Sequence, residues 1–129
     1  MSAPAGKKKT VMVVDDSDDL RELVALQLRL SGYDVVEARD GQEAVELARE
    51  RCPALVFMDI QMPGMDGVTA TRLMRRIEEL CGMVIVAFSA FGSGDNRERA
   101  LAAGCDEYVS KSEGINRLTG IAGRYLNAA

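Results

Sequence analysis

Five short runs that favour β-strands, three of them apolar throughout or nearly so, alternate with longer stretches of helical periodicity, and this alternation limits the fold more than any other feature of the chain. The runs are at 10–14, 33–38, 54–58, 83–88 and 106–110. Continuous apolar runs are typical of strands buried on both faces of a sheet. Alternating strands and helices favour a parallel sheet covered on both sides, with right-handed crossovers. We therefore predict a doubly wound α/β fold of five strands and five helices over residues 10–127, after a flexible basic tail at 1–9.

Capping residues, glycines and a proline predict where the helices begin and end. The predicted N-terminal caps are Ser17 or Asp18, Asp40 with Glu43 at capping-box spacing, Asp66, and Asp95 with Glu98. The predicted stops are Gly32, Pro53 and Gly104. The buried stripe of the first helix is predicted to be Leu20, Leu23, Val24 and Leu28, and that of the last helix Ile115, Leu118, Ala122 and Tyr125.

Composition excludes several kinds of chemistry. The 129 residues carry a net charge of −4, which argues against direct binding to nucleic acid. No apolar run approaches the roughly 20 residues of a membrane span, so we expect no membrane association. The chain contains three widely spaced cysteines and no histidine, which disfavours disulfides, zinc sites and Ser-His catalysis and indicates a cytoplasmic protein. The cysteines are expected to be buried or inert.

Polar residues follow the apolar runs at the points where the predicted strands end. Asp15 and Asp16 follow the first strand, Asp59 the third and Ser89 the fourth, while the fifth runs into Lys111. The carboxyl ends of parallel strands lie at one edge of the sheet, where open α/β sheets bind ligands. These side chains are therefore expected to converge on one shallow pocket.

The electrostatic repulsion among three carboxylates in one pocket must be compensated. Two charges about 4 Å apart repel by about 4 kcal/mol at an effective dielectric constant near 20. Either a raised pKa or a hard cation relieves this repulsion, and an all-oxygen site favours Mg²⁺. Such sites act on phosphate, so Asp59 is the best candidate for a nucleophile that forms an acyl phosphate, with Asp15 and Asp16 as metal ligands. Lys111 and Ser89 would stabilise the transferring phosphoryl oxygens.

Four motifs together resemble the receiver domain of two-component response regulators. They are Val-Val-Asp-Asp at 13–16, Met-Asp-Ile-Gln-Met-Pro-Gly-Met-Asp-Gly at 58–67, Phe-Ser-Ala at 88–90 and Tyr-Val-Ser-Lys at 108–111. They match in order and spacing, and the resemblance covers roughly residues 8–127. It implies a single-domain, flavodoxin-like fold and a phosphorelay switch with no output enzyme domain.

The resemblance also implies roles for individual residues. Asp59 would accept a phosphoryl group from a histidine kinase or a histidine phosphotransfer protein, with Lys111 binding that group. Asp16 would ligate Mg²⁺ directly and Asp15 mostly through water, and the backbone carbonyl of Gln61 would complete the protein ligands beside Asp59.

A second set of residues is implied to transmit the signal. Ser89 resembles the switch hydroxyl, and Tyr108 the aromatic residue that turns inward after it. Gln61 and Phe91 occupy the two positions that tune the lifetime of the aspartyl phosphate, and a bulky Phe91 is expected to lengthen it. A downstream protein or a second copy would read the change on the face formed by residues 95–126.

One position departs from the family pattern. Ser112 follows Lys111, where receivers usually have a cis-proline. A cis bond before a residue other than proline costs about 2.5–4 kcal/mol, so we predict a trans bond. Ser112 is then predicted to cap the last helix.

Three alternatives stay open from the sequence. A small Mg²⁺-dependent phosphatase would need a second acid two residues after the nucleophile, where Gln61 stands. A flavin-binding module would need a Ser/Thr-rich phosphate loop after the first strand. The chain is either a stand-alone regulator, which Met1 and the soft start at 2–6 slightly favour, or a receiver fragment of a hybrid histidine kinase.

Overall fold

The computed structural model describes residues 9–77, 82–89 and 94–127, and these contain a five-stranded parallel sheet. The strands are β1 (Thr10–Val14), β2 (Asp34–Ala38), β3 (Leu55–Asp59), β4 (Val84–Ser89) and β5 (Glu107–Ser110). Their spatial order is β2-β1-β3-β4-β5, and every adjacent pair is parallel. Chain order reverses between β1 and β3, which opens a crevice at the carboxyl ends of those two strands.

Five helices of the described residues cover the two faces of this sheet. They are α1 (Asp18–Leu30), α2 (Gly41–Arg51), α3 (Gly67–Arg75), α4 (Gly94–Ala103) and α5 (Asn116–Leu126). One hydrophobic cluster joins α1 and α5 to one face of the sheet. A second cluster joins α2, α3 and α4 to the other face. The predicted doubly wound, flavodoxin-like α/β fold is confirmed.

The central strands form the most buried part of the molecule, and they support the crevice from below. Every residue of β3 is buried, including Asp59 at its end, and residues 11–14 of β1 are 0% exposed. Each large apolar side chain buried in this way contributes about 1.5–3 kcal/mol. The polar residues at the strand ends are therefore attached to strands that are held by a well-packed core.

Three predicted helix caps are confirmed. The side chains of Ser17, Asp40 and Asp66 accept hydrogen bonds from the backbone N–H groups of Leu20, Glu43 and Thr69. The capping box at Asp40 is only half formed, because Glu43 accepts from the N–H of Arg39. The predicted cap at Asp95 is wrong, since α4 has already begun at Gly94 and Asp95 lies in its first turn.

The prediction that Ser112 caps the last helix is also wrong, although the preceding bond is trans as predicted. Residues Lys111–Glu113 form a 3₁₀ turn capped by Ser110, whose hydroxyl oxygen accepts from the N–H of Ser112 at 3.3 Å. Gly114 then leaves the helical region with φ of 98°, and α5 begins only at Asn116. Ser110 therefore caps the 3₁₀ turn, whereas α5 begins after Ile115 without a hydrogen bond from a capping side chain.

One prediction about burial needs correction. Leu23 is 44% exposed, because the buried face of α1 is formed by Arg21 together with Val24, Ala25 and Leu28. Of the cysteines expected to be buried or inert, Cys105 is buried, Cys52 is exposed and Cys81 lies outside the described residues. None of the helices in the described ranges is long and apolar enough to cross a membrane.

Candidate functional site

The crevice between β1 and β3 brings three carboxylates together. Asp15 and Asp16 directly follow β1, and Asp59 ends β3, which pairs with β1 in parallel register. One carboxylate oxygen from each residue lies within 4.8 Å of the others. Asp15 is 0% exposed and Asp59 3%, whereas Asp16 is open to solvent. Two of the three acids thus lie below the surface and the third lies at the opening.

Local backbone geometry orients the two buried acids in the same way. The N–H of Ser17 donates to Asp15 Oδ1 at 2.9 Å, and the N–H of Gln61 donates to Asp59 Oδ1 at 3.0 Å. In both cases the donor lies two residues after the acid, as in an Asx turn. Because Oδ1 is engaged by the acid's own loop, Oδ2 of each acid is left to meet side chains from elsewhere in the fold.

Lys111 is the cation that meets both of these oxygens. Its Nζ lies 2.9 Å from Asp15 Oδ2 and 3.3 Å from Asp59 Oδ2. The ammonium group also lies 4.9 Å from the centroid of the Phe88 ring, which contacts Phe57 edge to face. Lys111 directly follows β5, so the connection after β5 places its charge beside acids at the ends of β1 and β3. One positive charge faces three carboxylates, which leaves the crevice with excess negative charge.

The pKa of Asp59 is shifted by its burial and, to a lesser extent, by the negative charge beside it. Burial raises the pKa of Asp59 from 3.8 to about 6, and the negative charge of Asp15 adds to the rise. The hydrogen bond from Gln61 and the charge of Lys111 act in the opposite direction but do not cancel it. At neutral pH the carboxylate is therefore mainly ionised, at a cost in stability that a divalent cation would relieve.

This pKa shift predicts a dependence of stability on pH in the absence of Mg²⁺. The raised folded-state pKa gives a stabilisation that is fully present below pH 3.8 and is lost as the pH rises through about 6. We expect Asp59→Asn to gain about 2 to 3 kcal/mol in unfolding free energy relative to wild type between pH 4 and pH 7. Urea denaturation in a metal chelator across this range measures the difference. A difference that does not change with pH would contradict the shift.

Ser89 and Gln61 lie at the rim of the same crevice. Ser89 is buried at the end of β4, and its hydroxyl group donates to Gln61 Oε1 at 3.3 Å. Tyr108 on β5 is half-buried and packs against the cluster that holds α2, α3 and α4. Phe91 lies outside the described residues. The polar residues expected from the sequence to converge do so at this one edge of the sheet.

Arg21 is a residue of this region that sequence reasoning missed. It is 6% exposed and donates to the carbonyl oxygen of Asp15 at 3.0 Å. Its spacing could have indicated this burial. Arg21 lies three residues before Val24 and seven before Leu28, on the apolar side of α1.

Comparison with known proteins identifies a family that has this fold. Residues 11–122 match the response regulator receiver domain. The chain belongs to this family: it is a receiver domain of the kind that serves as the phosphoacceptor switch of two-component systems. It is similar to the polar-differentiation response regulator DivK of Brucella ovis, with 36% identity over 121 residues that cover 94% of this chain and 98% of that protein.

Solved structures show the same fold. The chemotaxis protein CheY4 of Vibrio cholerae superposes with a TM-score of 0.85 at 26% identity, covering 93% of this chain and all of that one (100%). The receiver domain of Ssk1 from Saccharomyces cerevisiae, solved in complex with the histidine phosphotransfer protein Ypd1, superposes with a TM-score of 0.83 at 28% identity. That match covers 92% of this chain and 88% of the other.

Proposed function

We propose that Asp59 is the phosphoacceptor of this receiver and that its crevice binds Mg²⁺. The observation that carries the proposal is the convergence of three carboxylates within 4.8 Å around a single lysine. This oxygen donor set fits a hard divalent cation. Asp15, Asp16 and Asp59 would hold the ion, together with the backbone carbonyl of Gln61. When bound, Mg²⁺ neutralises negative charge on the phosphoryl oxygens.

In the proposed reaction, a carboxylate oxygen of Asp59 attacks the phosphorus of a phosphohistidine. The new O–P bond forms as the P–N bond breaks, and the imidazole nitrogen keeps the electron pair and takes a proton from solvent. Lys111 Nζ, already 3.3 Å from Asp59 Oδ2, would hold one phosphoryl oxygen. The hydroxyl group of Ser89 would donate to another.

The proposed switch begins at Ser89. Its hydroxyl group donates to Gln61 Oε1 at 3.3 Å, so donation to a phosphoryl oxygen would replace this hydrogen bond. Tyr108 would turn inward after Ser89 and change the surface formed by residues 95–126. Within that surface, Glu107 of β5 accepts hydrogen bonds from Arg124 at 2.6 Å and from Tyr125 at 2.9 Å. These bonds would make α5 follow a shift of β5.

The lifetime of the aspartyl phosphate is proposed to depend on the two residues beside the crevice. Gln61 is exposed, and both its backbone N–H and its side chain already contact site residues. Phe91 is proposed to shield the phosphoryl group from attacking water. This role is inferred from the place of Phe91 in the sequence, two residues after Ser89.

The proposed partners follow from the chemistry of the donor and from the surface that changes. The donor is a histidine kinase or a histidine phosphotransfer protein, a proposal supported by the similar Ssk1 receiver solved with Ypd1. The reader is a downstream protein or a second copy of this chain at residues 95–126. We propose a cytoplasmic, non-enzymatic switch over residues 10–127. Residues 1–8 of the basic tail expected at 1–9 lie outside the described residues. Lys9 does not belong to a loose tail, because its Nζ donates to the carbonyl oxygen of Leu126 at 2.6 Å and its own carbonyl accepts from the N–H of Asp34 at 3.0 Å.

Mass spectrometry after incubation with a small acyl-phosphate donor and Mg²⁺ tests this proposal. Wild type is expected to gain one phosphoryl group, and Asp59→Asn none. Asp66→Asn is the matched control, because Asp66 lies in the same connection but caps α3, a role that asparagine also fills. It is expected to behave like wild type. Full labelling of Asp59→Asn, or no Mg²⁺ requirement in wild type, would overturn the assignment.

A further inference from the structure

We propose that Arg21 is a positioning residue of the metal site and acts by fixing the peptide group that joins Asp15 to Asp16. This inference rests on the proposed Mg²⁺ site. A terminal nitrogen of Arg21, Nη1, donates to the carbonyl oxygen of Asp15 at 3.0 Å, in a buried hydrogen bond. That carbonyl belongs to the peptide group between the two acids. Its rotation therefore sets the direction in which Asp16 leaves the end of β1.

The guanidinium group of Arg21 is itself held on two further sides. Nε donates to Glu37 Oε1 at 3.1 Å, and Nη2 donates to Asp18 Oδ1 at 2.7 Å. Glu37 lies on β2 opposite Val13 of β1, and Asp18 lies in the first turn of α1. The Arg21 side chain is only 8% exposed. A planar guanidinium held by three acceptors on three elements has little freedom to move.

Arg21 completes the fixation of Asp15. The N–H of Asp15 donates to the carbonyl oxygen of Ala38 at 3.1 Å. Its carboxylate accepts from Ser17 and Lys111. Asp15 is thus held by its N–H, its carbonyl and its carboxylate, whereas Asp16 is exposed at the opening of the crevice. The placement of Asp16 depends on the backbone before it, and Arg21 is the side chain that holds this backbone.

A positioning role and a purely electrostatic role predict opposite effects on cation binding. The positive charge of Arg21 opposes the approach of Mg²⁺, so removing charge alone would strengthen binding. Loss of a positioning contact would weaken binding, because residues that orient metal ligands typically contribute about 10- to 100-fold in affinity. The sign of the change therefore separates the two roles.

The experiment is calorimetric titration of the full chain with Mg²⁺. Arg21→Met keeps the apolar stem and removes all three hydrogen bonds, and it is expected to weaken Mg²⁺ binding by about tenfold or more. Arg29→Met is the matched control. Arg29 lies on the same helix and contacts the same Glu37 at 3.3 Å, but it bonds to the carbonyl of Val35 instead of Asp15. The control is expected to bind Mg²⁺ as wild type does, or slightly more tightly.

A second variant keeps the test decisive if Arg21→Met fails to fold. Arg21→Lys retains the charge but cannot reach all three acceptors, and it is also expected to weaken Mg²⁺ binding. The backbone amide signals of Asp16 and Ser17 in NMR spectra should shift in both Arg21 variants and stay in place in Arg29→Met. Unchanged or tighter binding in the Arg21 variants, or an equal loss in the control, would overturn the inference. Absence of Mg²⁺ binding in wild type would instead overturn the proposed function.

Discussion

Lys111→Met is expected to destabilise the Mg²⁺-free protein by about 3–5 kcal/mol, because it leaves two buried acids without their cation. Asp15 is 0% exposed and Asp59 3%, and both contact Lys111 Nζ. Protonation of Asp59 relieves part of this cost, so the loss should be smaller at pH 5 than at pH 8. A divalent cation relieves it as well, so Mg²⁺ should stabilise the variant more than it stabilises wild type.

Urea denaturation in a chelator and in saturating Mg²⁺ measures both effects. Arg117→Met is the control, since Arg117 is half-exposed and pairs with Glu113 at 3.2 Å on the surface. Loss of such a pair costs about 0–1 kcal/mol. Equal losses in the two variants would show that Lys111 has no special role in holding the acids. If the loss of stability in Lys111→Met did not change with pH or with Mg²⁺, Lys111 would stabilise the protein by packing and not by compensating the negative charge of the crevice.

The positions of the strands and of the acids could be predicted because both follow from burial. A strand covered on both faces must be apolar along its length, so its end is marked by the first polar residue. Parallel connections then bring these ends to one edge. The third and fourth strands begin and end one residue later than predicted, since backbone pairing continues through Asp59 and Ser89, opposite Phe88 and Ser110. At these two positions the side chain is already polar, although the backbone is still hydrogen-bonded to the neighbouring strand.

The burial of Arg21 could not be predicted by the rule that places apolar residues inside. That rule chose Leu23 for the buried face of α1 and left Arg21 outside. Three acceptors, from Asp15, Asp18 and Glu37, compensate for the burial of the guanidinium. The spacing of Arg21 places it on the apolar side of α1, but it does not identify these acceptors, since two of them depend on how the end of β1 and the β2 strand are arranged in space.

The 3₁₀ turn at Lys111–Glu113 shows a second reason why a local structure could not be predicted from the sequence. Ser110 and Ser112 are both good capping residues, and local sequence offers no reason to prefer one. In the fold, the hydroxyl oxygen of Ser110 accepts from the N–H of Ser112, and Glu113 accepts from the N–H of Ser110. This reciprocal pair stabilises a 3₁₀ turn and delays α5. The competition between two similar local hydrogen-bond patterns decided the outcome.

Gly67→Ala is expected to destabilise the protein by about 3 kcal/mol or more, because the added methyl group would meet the backbone of Asp59, the proposed phosphoacceptor. A Cβ atom at this position would overlap the carbonyl oxygen of Asp59 and lie 2.6 Å from the Cα atom of Ile60. Backbone atoms cannot turn aside as a flexible side chain can. Relief would require β3 and α3 to separate, which would displace Asp59 from the other acids. Phosphorylation by a small donor should therefore fall together with stability.

Gly120→Ala is the matched control for this substitution. Gly120 lies in α5, and a Cβ atom there meets nothing within 4 Å. The substitution is expected to raise the unfolding free energy by up to about 1 kcal/mol, because alanine favours the helix over glycine. Both variants are measured by urea denaturation, followed by mass spectrometry of the phosphorylated protein. If Gly67→Ala were as stable and as readily phosphorylated as wild type, the close contact between the start of α3 and the end of β3 would not be what positions Asp59.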